Sequence, residues 1–98
     1  MRSGNSLNSL PGAEIVLPGV ADLAAGRESV NALAVQCAGT RLRRLGLDAP
    51  SRDEGEPAAH LLYRRLNREL GDSAHSRYNA ILARIASFAR AAERARGS

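Results

Sequence analysis

The residues best suited to chemistry follow Asp72-Ser73: His75, Ser76, Arg77 and Tyr78. An Asp-Ser pair ahead of an apolar periodicity predicts a helix N-cap, which sets His75 in the first turn. A neutral imidazole there can serve as a general base. Free backbone N–H groups of the same turn can hold a phosphate. The plainer expectation for His75 is a boundary residue, hydrogen-bonded across the junction between two helices.

The stretch Arg68-Glu69-Leu70-Gly71-Asp72-Ser73-Ala74-His75 places six residues between an Arg and a His. In this it resembles the motif of the HEPN superfamily. Those are small all-α proteins, often dimeric, some of them metal-independent ribonucleases or partners of nucleotidyltransferases in toxin–antitoxin pairs. The resemblance spans eight residues and implies that Arg68 contacts phosphate while His75 transfers or positions a proton. An RNA-directed ribonuclease or toxin–antitoxin component is therefore the alternative function. Gly71-Asp72 sets a turn inside the motif, which bears on whether the two side chains share a site.

Other chemistry finds little footing. His60, His75 and Cys37 lack the CxxC, HxxxH or HExxH spacing that gathers metal ligands, so no metal is expected. Cys37 is expected to fill core volume as a small apolar residue. The Gly-containing pairs Pro18-Gly19 and Gly39-Thr40 do not form a phosphate-cradling loop. Glu14, Asp22 and Glu28 are scattered, and no acid/base dyad emerges. No cofactor is expected in so small a core.

The 98-residue chain carries 14 Arg and no Lys, against 10 Asp plus Glu, for a net charge of +4. Residues 1–56 balance at −1 and residues 57–98 at +5. His60, Arg64, Arg65 and Arg68 mark a basic strip, and Arg41, Arg43 and Arg44 a second cluster. Such strips can neutralise phosphates and bind nucleic acid nonspecifically. No helix-turn-helix signature accompanies them, and two Tyr, one Phe and no Trp leave few rings for stacking. A solvated basic face is the simpler expectation.

These residues must be positioned by helices. Ala and Leu dominate the apolar positions, and β-branched and aromatic residues are too few for a β-sandwich or barrel. The first helix is expected from about Pro11, at N1, to Ala25, with Pro18-Gly19 kinking or restarting it and Gly26 ending it. The second begins near Arg27 or Glu28 and lays Val30, Leu33, Ala34 and Cys37 on one stripe. Continuing that stripe would bury Arg41 and Arg44, so a break is expected at Gly39, with Thr40 capping a short helix from Arg41 to Leu45. Residues 48–56 form a loop. A further helix opens at Pro57 and closes at Gly71, with Ala59, Leu62, Tyr63, Leu66 and Leu70 on its buried face. The last runs from about Ala74 to Ala95 on a stripe of Tyr78, Ile81, Leu82, Ile85, Phe88, Ala89 and Ala92. Short links favour antiparallel neighbours. The fold class is all-α: one compact, antiparallel bundle of about four main helices plus a short extra one, over residues 11–96, after a polar tail of residues 1–10.

The last helix carries a second face. Ala80, Ala83, Ser87 and Ala91 lie opposite its bulky stripe, flanked by Arg84, Arg90 and Arg94. A helix back usually carries charge, whereas small side chains let another helix come close. Alanine is also the best helix former and needs no partner on that account. The leading expectation is a non-enzymatic protein that acts by protein–protein association, as a homodimer or with a small protein partner, through these residues with Arg84 and Arg94. One cysteine, no apolar leader and no apolar run of membrane-spanning length place it in the cytoplasm, away from membranes.

Overall fold

A computed structural model describes residues 9–49 and 55–97. Most of the expected polar tail (residues 1–8) and the middle of the expected loop (residues 50–54) lie outside the described residues. The rest is an all-α bundle: α1 (Ala13–Ala24), α2 (Val30–Cys37), α3 (Gly39–Arg44), α4 (Ala58–Leu70), a 3-10 turn (Gly71–Ser73) and α5 (Ala74–Gly97). No helix among the described residues is long and apolar enough to cross a membrane.

Local chemistry sets the boundaries. α1 does not begin at Pro11. Its N-cap is Gly12, in the left-handed region at φ 83°, and Gly12 O accepts from the amides of Ile15 and Val16. Pro18 lies inside a single continuous helix. It forfeits one amide donor on an exposed face. Gly26, also at positive φ, follows the C-cap Ala25 and donates to Leu23 O, closing α1. Ser29 caps α2 by accepting from the Ala32 amide at 3.0 Å. It also donates to Asp22 at 2.6 Å. That bond first, and then Arg27, hold the Asp22 carboxyl below its ordinary pKa. The break before α3 falls at Ala38, and Thr40 does not cap it. Its hydroxyl instead accepts from Arg43. Asp72-Ser73 sits in the 3-10 turn, which makes no side-chain cap bond.

The helices run antiparallel in two hairpins. α1 and α2 cross where Gly19 meets α2, so closely that a Cβ there would lie 2.5 Å from both Asn31 O and a Val35 methyl. α2 runs against α4: Arg65 donates to Glu28 O at the start of α2, while the end of α2 shares a depression with Pro57–Ala59. α5 returns along α4 and packs on α1 and α2. Its 24 residues span about 36 Å at 1.5 Å each, close to the 42 Å long axis of the molecule. The core centres on Phe88, Leu33, Leu42, Leu62, Ile85, Val16 and Val35. Among the described residues no polar or charged side chain is buried.

Two residues expected in the core are outside it. Tyr63 is 38% exposed and Leu70 43%. The buried stripe of α4 narrows to Ala58, Leu62 and Leu66. Tyr63 flanks that stripe. Leu70 lies more than a turn past Arg65, the residue level with the start of α2, so α2 is too short to cover it.

Candidate protein interface

Arg68 and His75 are both exposed, and they occupy different flanks of the α4–α5 hairpin. The His75 ring meets Tyr63 edge-on at 6.3 Å, and Tyr63 meets Tyr78 at 5.3 Å. His75 also pairs with the Asn79 amide at 3.2 Å, one turn along its own helix and not across the junction. Arg68 falls three residues after Arg65, on the flank that turns toward α2. At 100° per residue its direction on α4 is about 140° from that of Tyr63. The two side chains form no hydrogen bond or ion pair with each other.

The basic strip is partly neutralised by the chain itself. Arg64 pairs through both guanidinium nitrogens with the Glu56 carboxylate. Arg65 serves Glu28 O and Glu69. His60 is exposed. In the second cluster Arg41 grips Glu93 through two bonds of 2.6 and 2.8 Å, tying α3 to the end of α5. That pairing is the main reason the Glu93 carboxyl sits below its ordinary pKa. Arg43 donates to Ala49 O at 2.6 Å. These two residues line a depression of about 630 Å³, whose lining includes half-buried Cys37. Burial pushes the Cys37 thiol upward, away from the reactive thiolate.

The outward face of α5 divides into two halves. Ala80 and Ala83 are exposed, whereas Ser87 and Ala91 are half-buried. The entry to α1 packs on α5 at Arg84 and Phe88. Gly12 lies against the Arg84–Phe88 turn, where a Cβ would come within 2.2 Å of Arg84 O and 3.1 Å of the Phe88 Cβ. Arg84 reinforces this seam by pairing with Glu14 at 2.9 Å. Backbone amides at the start of α1, and then Arg84, lower the Glu14 pKa. Arg94 is exposed beyond the seam.

Beside the open half lie two shallow grooves. One, about 390 Å³, is lined by Leu70, Ser73, Ser76, Arg77 and Ala80. The other, about 340 Å³, lies between α5 and the starts of α1 and α2 and includes Ile15, Val30, Asn31, Arg77, Ala80 and Ile81. Ala80 belongs to both, so sequence reasoning found one member of this surface. It missed Leu70 and Arg77. The available signal was length: α4 outruns the eight-residue α2, which leaves its last leucine uncovered.

Comparison with protein-family models, curated proteins and solved structures returns no match.

Proposed function

We propose that the protein acts by association, holding another polypeptide chain (a second copy or a different protein) against the open half of α5 and the α4–α5 tip. The observation that carries this is the continuity of Leu70, the most exposed large apolar side chain among the described residues, with Ala80 through one groove, with exposed Ala83 three residues further along α5. Leu70 offers an anchor, and the alanines let a partner backbone come close. Interfaces of this type concentrate their energy in a few such anchors. The nucleic-acid alternatives draw less support, because Arg64 and Arg65 are spent on the chain's own acceptors and Arg68 and His75 do not converge.

The test is solution mass by light scattering over a concentration series. Any self-association is expected to fall in Ala83→Glu and in Leu70→Ser, and to be unchanged in His60→Ala. Both test positions are exposed, so the fold is expected to tolerate them. A mass above one chain that neither variant lowers would place the contact elsewhere and remove this surface.

A further inference from the structure

Resting on the association proposed above, we infer that the partner seated on this surface is an acidic amphipathic helical segment of another protein, its carboxylates on Arg77. The two grooves share Arg77 and Ala80 and so make one trough along α5. Its apolar wall is built from exposed Leu70 at one end, half-buried Ile15 and Val30 at the other, and buried Ile81 beneath. This is the form that accepts the apolar face of a helix.

Charge selects the occupant. Arg77 is exposed and makes no hydrogen bond or ion pair among the described residues. The carboxylate in the trough, Glu14, is already held by Arg84. A planar guanidinium in mid-trough is matched to a carboxylate, which it can take through two parallel bonds. A second copy fits less well. α5 carries Arg77, Arg84, Arg90 and Arg94, and its one described acid, Glu93, is occupied by Arg41. Two such helices face to face bring like charges together, which specific interfaces avoid. An acidic segment instead relieves the +5 balance of residues 57–98.

The probe is a fluorescein-labelled helical peptide of Leu and Ala with Glu at i, i+4 positions, and its twin with Lys in place of Glu. Each is titrated with the full chain and followed by anisotropy. The Glu peptide is expected to bind and the Lys peptide not, with affinity falling as salt rises. Arg77→Glu is expected to weaken the Glu peptide by at least about tenfold and to let the Lys peptide bind. Far-ultraviolet dichroism checks that the variant folds. Equal binding of both peptides, or indifference to Arg77→Glu, overturns the acidic partner while leaving an apolar association standing. Self-association that excludes both peptides does the same in favour of a second copy. Binding of neither peptide by a chain that stays monomeric removes this inference and the association together.

Discussion

Gly12→Ala is expected to lower the unfolding free energy by about 2–4 kcal/mol, from left-handed strain and overpacking together. Gly12 sits at φ 83°, where a Cβ costs energy whatever the surroundings. The surroundings are also full. The added carbon would lie 2.2 Å from Arg84 O, a backbone atom that cannot rotate away. Relief requires lifting the start of α1 off α5, which also strains the 2.9 Å Glu14–Arg84 pair. Against a total stability of about 5–15 kcal/mol for a small domain, this is a large fraction. Urea unfolding measures it as a fall in midpoint at unchanged slope. An unchanged midpoint would mean that α1 does not pack on α5 in this way.

The second large effect is at Phe88, the only phenylalanine and fully buried. Phe88→Ala is expected to cost about 3–5 kcal/mol, combining lost apolar transfer with the cavity left behind. Ala92, one turn further along α5, and Gly12, which lies against the Phe88 Cβ, are too small to extend into that space. The cost should therefore fall toward the upper end, and be read by the same unfolding experiment. A loss under about 1 kcal/mol would be the value of a surface residue and would contradict the placement.

Both effects show what was legible in the sequence. The α5 stripe, with Ile81, Ile85, Phe88, Ala89 and Ala92 at helical spacing, names its own buried face, because a 24-residue amphipathic helix has one way to bury it. The refusal to bury Arg41 and Arg44 located the break between α2 and α3 to within a residue. Gly26 marked the end of α1 by local chemistry, but Ser29 went unread as a cap, so the start of α2 was expected near Arg27 or Glu28 when it lies at Val30. Gly12 was different. A glycine needed for close approach looks in sequence like any other glycine, and Pro11 beside it suggested a helix start two residues early. Pairings such as Arg84–Glu14 and Arg41–Glu93, 70 and 52 residues apart, carry no local signal at all.

The interface was legible only in part, for the same reason. Spacing placed Ala80, Ala83, Ser87 and Ala91 on one face of α5. It could not say that Ser87 and Ala91 would be half-buried while Ala80 and Ala83 stay exposed, because that depends on how neighbouring elements meet α5. Nor could a helical wheel reveal that Leu70 stands beyond the reach of α2. Leu70 shares its side of α4 with Ala59, which is half-buried. What separates the two is the length of a neighbouring helix. The surface therefore moved from the middle of α5 toward its start, where Arg77 became part of it.

The most direct test of the contact surface is a residue-by-residue map of backbone amide shifts in the full chain as the acidic helical peptide is added. The account expects the perturbed amides to concentrate at Leu70, Ser73, Ser76, Arg77, Ala80 and Ala83, with those of Cys37, Thr40, Pro57-adjacent Ala58 and His60 unmoved. Perturbation centred on the Cys37–Ala59 depression, with the α4–α5 tip silent, would contradict it.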